Sequence, residues 1–393
     1  MDLSSANSTT SLKSRAARVA AVAALHADQV DREGRFPREA VDAMKAERLM
    51  AALIPAEFGG EGASLSQVAE LCTTLGQACA SSAMIFAMHH IKASSLISHG
   101  NEADWHRAFM RRIADEQLLL ASATTEGGIG GNMRNSICAI EVDGDTCRLE
   151  KDATVISYGS HGDAILVTSR SHKDAASTDQ VMTVFLKDQY SLEQTHKWDT
   201  LGMRGTCSDG FLFKGEAPAV QILPKPFAEI AAQSMLATSH LLWSAVWYGI
   251  AVDAVSRAQA FVRAAARKNP AVQPPGALRL AEVSNLLQMV RSNVIAGLKT
   301  YEDACEDSDK LSSMAFAVAM NNVKIASSEM ILPIINHAML ICGIMGYKNG
   351  TPFSLGRHLR DAQSAQLMIS NDRILGNTST MLLVHKQDTS LLG

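Results

Sequence analysis

The sequence predicts an α+β protein in which a helical segment, a sheet segment and a second helical segment follow one another along the chain. Three observations carry this. Apolar residues recur at spacings of three and four over roughly the first 120 residues, the period falls to two over about the next hundred, and helical spacing then returns. The expected division is 1–120 for an N-terminal α-helical domain, 121–225 for a central β domain and 226–393 for a C-terminal helical bundle domain.

From Ser14 to about Leu120, Ala-rich helical stretches are interrupted by the turn-rich IPAEFGGEGAS (54–64). The segment SICAIEVDGDTCRLEKD (136–152) reads as a strand, an Asp-Gly turn and a second strand. DAILVTSR (163–170) and VMTVFLKD (181–188) read as buried strands, and the alternation lasts to about Leu223, where PKPF punctuates it. LLWSAVWYGIAVDAVSRAQAFVRAAARK (241–268) is apolar around most of its circumference, as a helix packed among helices should be. Further long helices follow, separated by NPAVQPPGA and GYKNGTPF.

Composition narrows the function classes. With 47% hydrophobic and 19% charged residues in 393, disorder and collagen-like repeats are excluded for the bulk of the chain. Lys and Arg total 36 against 40 Asp and Glu, which leaves no basic excess for a nucleic-acid backbone. Cys72, Cys79, Cys138, Cys147, Cys207, Cys305 and Cys342 are odd in number and form no CxxC pair, so a reducing, cytoplasmic setting is expected, without disulfides or structural zinc. The histidines form no HxxxH pair, and no metal site is expected. No apolar run approaches the roughly 18 residues of a membrane span, and no membrane partner is expected. The Ser- and Thr-rich residues before Arg15 read as a polar tail.

Five segments, in order, carry a family resemblance. GRFPREAVDAMKAERLMAALIPAEFGGEGAS places Phe36, Pro37, Pro55, Glu57, Gly59, Gly60 and Gly62 as in the N-terminal domain of acyl-CoA dehydrogenases. ATTEGGIGGN (123–132), VISYGSHGD (155–163), WDTLGMRGTCSDGFLF (198–213) and CGIMGYKNGTPFSLGRHLRDA (342–362) resemble that family's later segments. The resemblance implies an α domain, a central β-barrel-like domain and a C-terminal four-helix bundle. It also implies FAD between them, a small-molecule substrate such as a CoA thioester, and a homotetramer or homodimer. On this reading Thr125 and Ser157 carry the flavin-edge hydroxyls, with Thr124 and Ile156 beside them and Arg267 and Gly343 as further cofactor contacts. Gly127, Gly128, Gly130 and Gly131 would let backbone approach cofactor or thioester, Gly131 standing where the family has a CoA-binding Ser. Met84, Phe86 and Met368 are the expected apolar substrate wall.

The departures bear on chemistry. Val155 replaces the family's flavin-stacking Trp, and Leu340 a Gln. The usual position of the α-proton base is Ile369, and the alternative position falls near Ser239 or His240; neither offers a carboxylate. Asp372, three residues on, is the candidate displaced base, or else a helix-capping or solvated acid beside Arg373. The chain also resembles flavin-dependent monooxygenases of the same scaffold, through His89 or His90 in AMHHIKA and through Ser157 as donors over the flavin, although their further His is Met368 here. An oxygen-using flavoenzyme, an acyl-CoA dehydrogenase with Asp372 as base, and a non-catalytic flavin-bearing interaction protein are thus the three expectations.

Overall fold

The computed structural model describes residues 11–129, 132–386 and Ser390. Helix α1 (Leu12–Glu33) opens on Ser11, whose Oγ accepts from the Ser14 amide, and stops at Gly34 in the left-handed region at φ 60°. α2 (Arg38–Ala46) leads into the expected turn. There a Cβ on Gly60 would lie 2.0 Å from the Ile54 carbonyl oxygen, so only glycine fits. α3 (Leu65–Ala78) begins with a reciprocal capping box between Ser64 and Gln67. α4 (Ala80–Gly100) and α5 (Asp104–Glu116) complete the first helical region.

Among the described residues seven strands follow, in two sheets. β1 (Leu120–Ala123) runs parallel to β4 (Ala164–Arg170), which pairs antiparallel with β5 (Gln180–Leu186). The second sheet is antiparallel, in the order β2 (Glu141–Asp143), β3 (Thr146–Ala153), β7 (Gly210–Pro218), β6 (Tyr190–His196). The Asp-Gly signal lies at the β2–β3 hairpin, with Gly144 at φ 58°. Side chains alternate between buried and exposed along β3, whereas β4 is buried along nearly its whole length. The sheets meet through Phe185 and Phe213, whose ring centroids are 5.1 Å apart.

The second helical region comprises α6 (Phe227–Ile230), a π-helical turn at Ala231–Met235, α7 (Leu236–Lys268), α8 (Ala277–Glu302), α9 (Ser308–Leu311), α10 (Met314–Cys342), α11 (Ile344–Tyr347), α12 (Gly356–Gln363) and α13 (Asn371–Leu382). α7, α8 and α10 are the long members, and the short α12 and α13 pack along α10. α7 also crosses α3 at close range: a Cβ on Gly249 would lie 2.4 Å from the Thr73 carbonyl oxygen. By length and hydropathy the α6–α7 stretch and α10 could each cross a membrane, contrary to the sequence expectation. The apolar window of the first is 83% buried inside the protein and that of the second 44%.

One joint fixes the first helical region on the sheet. His89 on α4 donates from Nε2 to the Met50 carbonyl at 2.7 Å and accepts the Leu120 amide on Nδ1 at 3.1 Å. Burial lowers its pKa to about 4, so the ring is neutral and its tautomer is set by these two partners. Tyr158 donates its phenol to the Leu120 carbonyl at 2.9 Å, so side chains satisfy both polar groups of that edge-strand residue. His89→Phe would leave the Met50 carbonyl and the Leu120 amide unpaired, at roughly 1–3 kcal/mol each. The variant should therefore melt well below the parent in a thermal scan, and an unchanged melting temperature would remove the joint from this account.

Candidate functional site

A cavity of about 570 Å³ lies where α4, the loops of the sheets and the second helical region meet. That is within the usual range for sites that hold a cofactor or a small molecule. α4 contributes Met84, Met88, Ile91 and Lys92, a stripe at helical spacing. The sheet side contributes Ser122, Thr124, Thr125, Met133, Val155, Ser157 and Tyr158, and the segment before β7 adds Trp198, Met203, Thr206 and Ser208. Met235 of the π turn, with Ser239 and Trp243 of α7, forms a third wall; Arg360, Leu367, Met368 and Ile369 form a fourth. Among the described residues six methionines face the space and no Asp or Glu does. A second hollow, on β3 and β7, is lined by exposed charges that pair with one another, as in Arg148–Glu216 and Lys214–Glu150.

The hydroxyls of the sheet side are ordered. Thr206 donates to the Met203 carbonyl at 2.9 Å, so its oxygen accepts from Ser208 at 2.8 Å, and Ser208 accepts from Ser157 at 2.8 Å. The chain is polarised, and Ser157 presents lone pairs to the cavity. Thr125 spends its proton on the Val155 carbonyl at 3.1 Å and likewise presents an acceptor. Trp198 is pinned by its indole N–H on the Met203 carbonyl at 3.0 Å and its amide on Asp209 at 2.7 Å. It supplies an aromatic face on the same cavity that Val155 lines. The indole N–H of Trp243 is buried and has no partner among the described residues.

Backbone strain gathers here. Of the non-glycine residues in the left-handed region, Tyr158 (φ 44°), Met203 (φ 52°) and Ile369 (φ 48°) all line the cavity. Met203 is held by the buried Asp361, which accepts its amide at 2.7 Å and whose pKa burial raises to about 6. Ile369, β-branched and therefore the most strained of the three, is held by Lys324, which donates to its carbonyl at 2.7 Å and to Asn371 Oδ1 at 2.5 Å.

The structure brings together Met84, Thr124, Thr125, Ser157 and Met368 of the expected set and separates the others from the cavity. His89 is the joint described above. His90 donates from Nε2 to the Leu49 carbonyl at 3.1 Å, packs edge-on against Phe86 at 4.4 Å, and is kept neutral by burial. Neither ring reaches the wall, because both lie off the Met84–Lys92 stripe, and Phe86 is likewise buried in the core. Ile156 is fully buried, its amide bonded to the Asp209 carbonyl at 2.8 Å. Asp372 is exposed in the first turn of α13 and away from the cavity, because Ile369 and Ser370 lie outside the helix and the turn-by-turn offset from Ile369 does not apply. Arg267 is exposed at the end of α7, and Gly343 caps α10 at φ 55°; neither lines the cavity. Gly130 and Gly131 lie outside the described residues.

Sequence reasoning missed Lys92, Trp198, Ser208 and Trp243. Lys92 was legible as the end of the stripe through Met84, Met88 and Ile91, and Trp198 as the aromatic residue opening the LGMRG segment. Lys92 is 5% exposed, and burial pushes its pKa down to about 7. Among the described residues no group of three His, Cys, Asp or Glu could hold a metal ion.

Known proteins align with this chain throughout. The family model for the acyl-CoA dehydrogenase N-terminal domain matches residues 9–117, and that for the C-terminal domain matches 230–377. Cyclohex-1-ene-1-carbonyl-CoA dehydrogenase of Geobacter metallireducens is 25% identical over 346 residues, covering 86% of this chain and 88% of that one. Amino sugar nitrososynthase DnmZ of Streptomyces peucetius is 23% identical over 346 residues, covering 86% and 84%. Among solved structures, FMN-bound TdsC from Paenibacillus superposes with a TM-score of 0.83 at 19% identity, covering 96% of this chain and 98% of that one. A nitrososynthase from Micromonospora carbonacea superposes at 0.79 with 20% identity, covering 95% of each. At these identities the superpositions establish a shared fold. With both terminal domain models matched, and the order of helices, sheets and helices that they flank observed, the chain belongs to the acyl-CoA dehydrogenase family.

Proposed function

We propose that this protein is an FAD-dependent oxidoreductase of the oxygen-using, monooxygenase type, acting on an apolar or ring-bearing small molecule, a CoA thioester among the options. The observation that carries this reading is a cavity wall with ordered hydroxyls and a fixed indole but, among the described residues, no carboxylate. The residues fit a flavin. Thr125 and Ser157 offer acceptors to ring-edge N–H groups, Thr124 stands beside them, Trp198 offers a flat face, and the unpaired Trp243 N–H is a donor in search of a partner. A bound flavin would supply the redox chemistry. The chain itself would orient the ring through those hydroxyls and keep water out with methionine and tryptophan side chains.

A second reading, α,β-dehydrogenation of an acyl-CoA, is favoured by the relatives named as CoA-thioester dehydrogenases. It requires a base at the substrate's α carbon, and the family's position for one is Ile369. Asp372 does not supply it from the surface of α13.

The reading extends to assembly. Leu340, Ile344 and Tyr347 at the end of α10 and on α11, with Leu278, Met289 and Ile295 on α8, are large apolar side chains exposed to solvent in the single chain. They support a homodimer or homotetramer. The seven free thiols support a reducing, cytoplasmic setting.

Four outcomes are expected. Purified protein should bind FAD at micromolar concentration, and Ser157→Ala should weaken that binding roughly fivefold, the worth of one hydrogen bond. Reduced protein should be reoxidised rapidly by O₂ and the oxidised protein should not be bleached anaerobically by butyryl-CoA; bleaching would select the dehydrogenase reading, and failure to bind flavin would end both. Asp372→Asn should leave flavin reduction and reoxidation rates unchanged and alter stability by no more than about 1 kcal/mol, its share of helix-dipole stabilisation. Light scattering on the eluted protein should give two or four chain masses, and a monomer would refute the assembly.

A further inference from the structure

Three lysines are buried among the described residues, and two of them have oxygen partners. Lys151 donates to the Thr168 carbonyl at 2.8 Å and lies 3.5 Å from Glu126; Lys324 holds the Ile369 carbonyl and Asn371. Lys92 differs. Its acceptor is the thioether sulfur of Met235 at 3.1 Å, a weak one, and no oxygen acceptor among the described residues reaches its Nζ. It also lines the cavity, where the one other charged side chain among the described residues, Arg360, is engaged by Asp31. An ammonium held out of water without a counter-ion is costly, and the cost is removed when an anion enters beside it.

We propose that Lys92 anchors the acidic oxygen, carboxylate or phenolate, of an otherwise apolar substrate. The inference rests on the function proposed above, with the substrate taken into the same cavity beside the flavin. Met84, Met88 and Ile91 continue the Lys92 face of α4, so a ligand whose oxygen meets Nζ lays its hydrocarbon body along thioether and aliphatic surface. With its pKa pushed down to about 7, Lys92 can meet the ligand in either form. As ammonium it pairs with an anion directly; as free amine it takes the acid's O–H proton, and the same ion pair results. The charge that the cavity lacks is thus supplied by the ligand.

Three probes of similar size test this: p-nitrophenol, whose yellow anion is read separately from its acid, benzoate, and neutral nitrobenzene. Each is titrated into the full-length protein with and without FAD. Wild type should bind at least one of the two acidic probes at least tenfold tighter than nitrobenzene, and bound p-nitrophenol should turn yellow at a pH where the free compound is mostly colourless. Tighter binding of benzoate assigns the carboxylate source, and tighter binding of p-nitrophenol the phenol source. Lys92→Met and the more polar Lys92→Gln, each checked for folding by circular dichroism, should lose that preference while holding nitrobenzene within about twofold of wild type. Equal binding of all three probes, binding of none, or a preference that survives both substitutions overturns the anchor. The parallel FAD titration separates the two readings: flavin bound without anion preference defeats the anchor alone, whereas failure to bind flavin defeats the cofactor reading whatever the probes do.

Discussion

Of the 21 residues of α4, 18 are buried, and the helix presents no polar face to water. Every polar side chain on it except the exposed Ser98 must therefore find a partner inside the protein or bear the cost of lacking one. His89 ties the Met50 carbonyl to the Leu120 amide, His90 reaches Leu49, Ser94 pairs with Thr238 at 3.1 Å, and His99 meets Ser234 at 3.1 Å. These bonds lead outward to the turn after α2, to β1 and to the helices that begin at α6. The cavity exists because the elements are held at fixed distances around this one helix, and the stripe Met84–Lys92 is the part of it left facing open space.

The large divisions of the chain were legible because they depend on periodicity, which needs no knowledge of tertiary contacts. The Asp-Gly hairpin, the buried β4 and β5 and the long α7 all appear where spacing and turn chemistry put them. On the sheet side the sequence named residues that do line the cavity, Thr124, Thr125 and Ser157, which come from short loops whose placement follows from the resemblance. On α4 it named residues that do not line it. Histidine chemistry pointed to His89 and His90, although residues five and six beyond Met84 lie roughly 120–140° around the helix from it and cannot share its face. The same geometry nominates Lys92, eight residues on. Ile369 shows the opposite failure: helical counting assigned Asp372 to the cavity across a residue whose left-handed backbone ends the count.

The strained positions show where stability is given up. Tyr158, Met203 and Ile369 each hold a conformation that L-residues avoid, at about 1–3 kcal/mol apiece, and each is fixed by a buried polar contact. Tyr158 is held through its phenol, Met203 by the Asp361 carboxylate and Ile369 by the Lys324 ammonium. In the last two cases the restraining group comes from the second helical region, so packing of that region and shape of the cavity are not independent.

The wall built from Met84, Met88, Met133, Met203, Met235 and Met368 has a further consequence. Unbranched thioethers change rotamer at small cost, so this surface takes its contour from whatever lies against it, and a new ligand shape can be admitted without moving backbone. Thioethers are also readily oxidised. On the oxygen-using reading proposed above, an oxidant formed in the cavity would meet sulfur on this wall, and the sulfoxides it leaves would turn a greasy lining polar. Peptide masses from protein that has turned over many times would then record that oxidation on these six side chains.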